Sequence, residues 1–196
     1  MVFLSYRRKN LRDNKILSGV LATAFAFVMI FSVYSANGLV KNNLLSGQEP
    51  DVIAAHKAAL LVSEAKTSKV LEKYKNAHSL TDSQLVELLK AVGFKGKGLK
   101  TAWAVAKAES NGRPFAFNGN TKTGDSSYGI FQINMLGVLG PDRRDKYDLD
   151  LNAELFSPVT NAQVVYKMTK GGTDWSSWPS YTKGAMNKWL NQFPNQ

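Results

Sequence analysis

The strongest constraint on this chain is ILSGVLATAFAFVMIFSVY, residues 16–34, a run of 19 without a charged side chain. A helix of about 20 apolar residues crosses the hydrocarbon layer of a bilayer, so the run predicts a transmembrane helix. Arg7, Arg8, Lys9, Arg12 and Lys15 precede it and only Lys41 follows closely. The positive-inside rule then makes residues 1–15 a basic cytoplasmic N-terminus and puts the rest of the chain on the far side. The length of the run favours an uncleaved signal anchor over a cleaved signal peptide ending at Val33-Tyr34-Ser35, and both readings export the remainder.

What is exported has room for one ordinary domain with appendages, since the whole chain is 196 residues. It holds no cysteine, which excludes disulfide frameworks, thiolate nucleophiles and cysteine zinc sites. His56 and His78 are far from the i, i+4 spacing of a metal pair, so no metal and no cofactor is expected. The net charge is +10, but past residue 15 the cations are scattered. No dense basic stripe suits a nucleic-acid groove, whereas a solvated basic surface suits an anionic partner such as a cell envelope.

Residues 35–78 read as a linker and a helical stalk. ANGLVKNNLLSGQEP, residues 36–50, has turn residues and no period, while residues 51–77 are rich in Ala, Leu, Lys and Glu without Gly or Pro. Ile53, Leu60, Val70, Leu71 and Tyr74 hold no strict heptad, which leaves a stalk that also packs on the domain.

Residues 79–196 read as that domain. Ser79 to Asp82 offer N-caps for a helix carrying Leu85, Leu88, Leu89 and Val92 and ended by Gly93. LKTAWAVAKAES, residues 99–110, continues as a second helix with Leu99, Ala102, Trp103 and Ala106 on one face. Gly112, Pro114, Asn118-Gly119 and Thr123-Gly124-Asp125 bracket a small β-hairpin or irregular sheet, and Tyr128 to Ile133 supply a strand or buried loop. Ser157-Pro158 opens a helix to Met168, and Ser180 caps a last one from Tyr181 to about Phe193. The fold class is α+β, mainly helical with a small β-hairpin.

Glu109 lies at the margin of the second helix's apolar stripe. A helix-end glutamate before Ser-Asn-Gly is usually solvated, but burial beside Trp103, Phe115 or Phe117 would raise its pKa and keep it protonated as a general acid. Spacing alone leaves both readings open.

A longer pattern bears on the choice. Ala108-Glu109-Ser110, followed by Ser127-Tyr128-Gly129-Ile130-Phe131-Gln132-Ile133-Asn134, resembles the paired signature of the lysozyme-like superfamily, especially goose-type lysozymes and soluble lytic transglycosylases. Arg143-Arg144, Phe156-Ser157-Pro158, Asn161-Ala162 and the segment Trp175 to Tyr181 are similar to the version found in bacteriophage proteins, including tail-associated ones. The likeness covers residues 79–193 in order. It implies cleavage of the β-1,4 bond between N-acetylmuramic acid and N-acetylglucosamine in peptidoglycan glycan strands, with Glu109 as the acid and Ser110, Ser127, Gln132, Asn161 and Tyr181 as substrate-binding residues. It also implies virion or envelope protein partners, and a place in a phage particle or at the membrane.

One departure matters. Where animal c-type lysozymes carry a second carboxylate, this chain has Ser127. Either the sugar's own acetamido and 6-hydroxyl groups complete the reaction, giving a 1,6-anhydro product, or Asp125 positions a water from a nearby turn. A non-catalytic glycan-binding domain with a vestigial site is the competing reading.

Overall fold

The computed structural model describes residues 50–194. The span predicted over residues 16–34, the N-terminus before it and the linker up to residue 49 lie outside the described residues. Among the described residues no helix is long and apolar enough to cross a membrane. The chain divides into two units, Met1–Lys57 and Ala58–Gln196. Of the first, only the opening turns of one helix are described, with Val52 and Ile53 exposed.

Helix α1, Pro50–Tyr74, forms from the Gly-free segment expected to be helical. Its side chains from 58 to 66 are exposed. Only its last turns meet the domain: Val70 and Leu71 pack on the core, and Tyr74 is buried with its hydroxyl donating to the Glu87 carboxylate. The bulky residues earlier in α1, Leu60, Leu61 and Val62, stay exposed.

Helix α2, Asp82–Val92, starts on a capping box. Thr81 Oγ1 accepts from the Gln84 amide at 3.2 Å, and Gln84 Oε1 accepts from the Thr81 amide at 2.8 Å. It buries Leu85, Val86, Leu88 and Leu89, then stops at Gly93, whose φ of 119° is a left-handed cap. Helix α3, Gly96–Ser110, is buried almost all round, with Trp103 fully enclosed, as befits the central helix of a small domain. Lys107 on α3 is 9% exposed and keeps its charge satisfied by Asp82 at 2.8 Å.

The expected hairpin is a three-stranded antiparallel sheet of two-residue strands: β1, Phe117–Asn118; β2, Ser127–Tyr128; β3, Ile133–Asn134. Asn118 pairs with Ser127 and Ser127 with Asn134, while Phe117 and Ile133 pair with Tyr128. Side chains alternate between faces. Phe117, Tyr128 and Phe156 therefore cluster on one side, with ring centroids 4.9 and 5.3 Å apart.

Helix α4, Leu139–Tyr147, was not foreseen, because LGPDRRDKY has no apolar stripe and buries only Gly140. A 3-10 turn at Asn152–Phe156 leads to α5, Pro158–Met168, which opens as expected with Ser157 capping and Pro158 at the first position. The single last helix expected after Ser180 is instead two short ones, α6 at Pro179–Thr182 and α7 at Asn187–Leu190. Gly184, at φ 78°, breaks the run between them. Trp178 takes the cap position ahead of Pro179, so Ser180 lies inside α6.

Candidate active site

The last turn of α3 is stitched to the loop between β2 and β3. Ser110 Oγ donates to the Ile130 carbonyl at 2.7 Å and accepts from the Arg113 amide at 3.1 Å. That loop turns at Gly129, at φ 73°, where a Cβ would stand 2.2 Å from the Leu155 carbonyl and 2.3 Å from the Asn161 amide nitrogen. Only glycine fits both the backbone and the space.

Asn161, at the start of α5, holds the loop from beneath. Its Oδ1 accepts from the Phe131 amide at 3.1 Å, and its Nδ2 donates to Tyr128 and Leu155 carbonyls at 3.0 and 2.9 Å. From the other side, Trp178 Nε1 donates to the Phe131 carbonyl at 3.0 Å. The loop is thus fixed by groups distant in sequence, as precise placement of a site requires.

These supports frame a cleft of about 630 Å³. Glu109, Asp125, Ser127 and Gln132 line it together, with Trp178 and Ser180 contributed by α6 and its cap. Glu109 is partly buried, and removal of solvent pushes its carboxyl above the ordinary carboxylate range. The negative charge of Asp125 adds to that rise, and the Ser180 hydroxyl opposes it. Ser180 Oγ is buried and has no hydrogen bond of good geometry, so it acts on the carboxyl by proximity and not as a committed donor. Asp125 accepts from Thr123 Oγ1 at 3.0 Å and from Ser127 Oγ at 3.4 Å. Gln132, at φ 47°, donates both amide hydrogens to the Ala116 and Gly129 carbonyls, each at 3.0 Å.

Of the expected substrate-binding residues, Ser127 and Gln132 reach the cleft, and Ser110, Asn161 and Tyr181 are not in its lining. Ser110 is 4% exposed and Asn161 fully buried, both spent on backbone groups; Tyr181 is 40% exposed on α6. Ser110 and Asn161 support the loop from behind the cleft. Trp175 and Trp178 pin the α5–α6 segment through their indole N–H groups. Ser180, expected from sequence as a helix cap, is a neighbour of Glu109. Asn118, Arg143 and Lys183 also line the cleft, and of these only the Arg143-Arg144 pair carries a signal in the sequence.

Comparison with known proteins agrees with this geometry. Residues 86–180 match the family model of a lysozyme-like domain. Over 120 residues the chain is 30% identical to the milk isozyme of lysozyme C from Canis lupus familiaris, covering 55% of this chain and 92% of that protein. The chain belongs to the lysozyme-like superfamily. Its likeness extends to the milk isozyme of lysozyme C from Equus caballus, 29% identical over 59% of this chain and 90% of that protein, and to lysozyme C from Equus asinus, 28% identical over the same shares. No solved structure matches significantly. The lysozyme-like domain is mainly helical with its small sheet on one wall of the cleft, the α+β arrangement expected.

Proposed function

We propose that this protein degrades peptidoglycan, cleaving the β-1,4 bond between N-acetylmuramic acid and N-acetylglucosamine with Glu109 as general acid. The observation that carries the reading is the placement of Glu109: a partly buried carboxyl, its hold on the proton strengthened by desolvation, opening onto a cleft of about 630 Å³. Proton transfer to the glycosidic oxygen breaks its bond to the anomeric carbon, and positive charge develops on the ring.

The finer reading is a lytic transglycosylase. Glu109, left as a carboxylate, takes the proton of the muramyl 6-hydroxyl while that oxygen bonds the anomeric carbon. The product is a 1,6-anhydro sugar, and Glu109 regains its proton. Supporting this is the residue at the strand position opposite Asn118: Ser127, which has no carboxyl. The second reading is hydrolysis with Asp125 positioning water. It is favoured by Asp125 lining the same cleft and acting on Glu109. An exported, membrane-anchored enzyme encoded by a phage, carried in the virion or used in lysis, completes the proposal.

The test is digestion of purified sacculi by the full chain and by Glu109→Gln, with mass spectrometry of released fragments. Anhydro-muropeptides from the first protein alone are expected. Reducing-end products shift the proposal to hydrolysis, and binding without release by either protein replaces it with a non-catalytic glycan-binding role.

A further inference from the structure

Two cations in the cleft have no part in the chemistry above. Arg143, on α4, and Lys183, the residue closing α6, both line it. Among the described residues neither has a carboxylate partner, in contrast to Lys73 with Glu87, Lys107 with Asp82, and Lys170 with Asp174. Arg143 gives one guanidinium N–H group to the Asn134 carbonyl at the end of β3. A guanidinium has five N–H donors, so most of its fork is left for the cleft.

A partly buried arginine without a counter-ion is costly in an apolar surrounding and is well suited to a planar anion. The rest of the lining sharpens the point. Ile133, Leu139, Met168 and Trp178 offer apolar surface beside these cations, while the carboxyl groups of the cleft, Glu109 and Asp125, are on α3 and the β1–β2 turn. The cations therefore come from elements that carry neither acid. Lys183 is exposed and adds a second charge to the lining, which raises local concentration of an anionic ligand more than it fixes geometry.

We infer that Arg143 and Lys183 recognise the anionic substituent on the muramyl sugar, making the cleft selective for glycan strands that carry a carboxylate there over neutral strands of the same sugars. This rests on the glycan-cleaving reading of the cleft. The carboxylate has two possible sources with one chemistry: the lactyl group of the sugar itself, or the stem peptide attached to it. Arg143 is a specificity residue in this scheme and takes no part in proton transfer.

The experiment uses the full chain in mild detergent and three soluble strands of equal length: peptide-bearing strands, amidase-stripped strands with a free lactyl carboxylate, and stripped strands whose lactyl carboxylate is converted to the methylamide. kcat and KM are measured on each for the parent protein, Arg143→Gln and Lys183→Gln. The parent is expected to favour at least one anionic strand over the methylamide by about tenfold or more in kcat/KM, the scale of one charged contact. Which strand is favoured identifies the source. Each substitution is expected to shrink that ratio, mainly through KM, with Arg143→Gln the stronger and the residual preference weakening as salt rises.

Equal kcat/KM on all three strands by the parent overturns the inference while leaving cleavage intact. So does a uniform loss on every strand in Arg143→Gln with an unchanged ratio in Lys183→Gln, which makes Arg143 only a clamp on β3. Failure of the parent to cleave any strand overturns the glycan-cleaving reading and this one with it.

Discussion

Ser127 Oγ donates to Asp125 Oδ1 across 3.4 Å, so the strand residue that lacks a carboxyl steadies one two positions upstream. Asp125 also receives Thr123 Oγ1 at 3.0 Å. Its charge disfavours ionisation of Glu109. Replacing Asp125 with Asn removes that charge, and the carboxyl of Glu109 then ionises at lower pH. Because a general acid must be protonated, the basic limb of the kcat/KM profile is expected to move to lower pH, with anhydro product retained. A loss on the order of 100-fold at every pH instead assigns Asp125 a direct role with water.

Ser180 acts on Glu109 in the opposite sense. Its hydroxyl favours the carboxylate, so Ser180→Ala is expected to move the same basic limb to higher pH. The buried Oγ has no partner to lose, and stability should change by less than about 1 kcal/mol. A pH–rate profile and a denaturant curve check both halves, and a limb moving downward refutes the assigned sign.

Glu109→Gln should lower kcat by about 10²–10⁴-fold, the usual contribution of a general acid. It should also stabilise the fold near neutral pH. The folded-state pKa of Glu109 is raised, so between the ordinary carboxylate value and the folded value the unfolded chain sheds a proton that the folded one retains, and stability falls as pH rises. The glutamine variant escapes that penalty. With the carboxyl still partly open to solvent, screening keeps the gain small, and it disappears below the ordinary carboxylate range. Thermal melts of both proteins across pH measure it.

Gly129→Ala is expected to cost more than about 4 kcal/mol or to abolish folding, since the added carbon meets a backbone carbonyl at 2.2 Å in a left-handed conformation. Asn161→Ala strands the Phe131 amide and two carbonyls, a loss of about 2–4 kcal/mol. Urea unfolding of the two variants should rank them in this order.

The helical frame was legible because its signals are local: Thr81 and Gln84, Gly93, and Ser157 with Pro158 each announce a helix end within a few residues. Helix α4 was not legible, since its single buried residue is Gly140 and no apolar period remains to be read. The last helix misled for the converse reason: Trp189, Leu190 and Phe193 keep a helical spacing and pack on the core, while Gly184 breaks the backbone before them. In the site, Glu109, Ser127 and Gln132 came from the paired motif of residues 108–110 and 127–134. Ser180 and Arg143 reach the cleft only through tertiary packing, and Ser110 and Asn161 look equally polar in sequence whether they face a sugar or a carbonyl.

The supports of the Gly129 loop have a consequence for the order in which the molecule comes into being. Synthesis delivers the N-terminal residues first, and Ser180 follows Glu109 by about 70 residues, several seconds at the usual pace of translation. Until Asn161 and Trp178 arrive, nothing holds the Phe131 segment from beneath or from the far side. A nascent chain thus carries Glu109 early and the supports of its cleft late, so the site is assembled only near the end of synthesis.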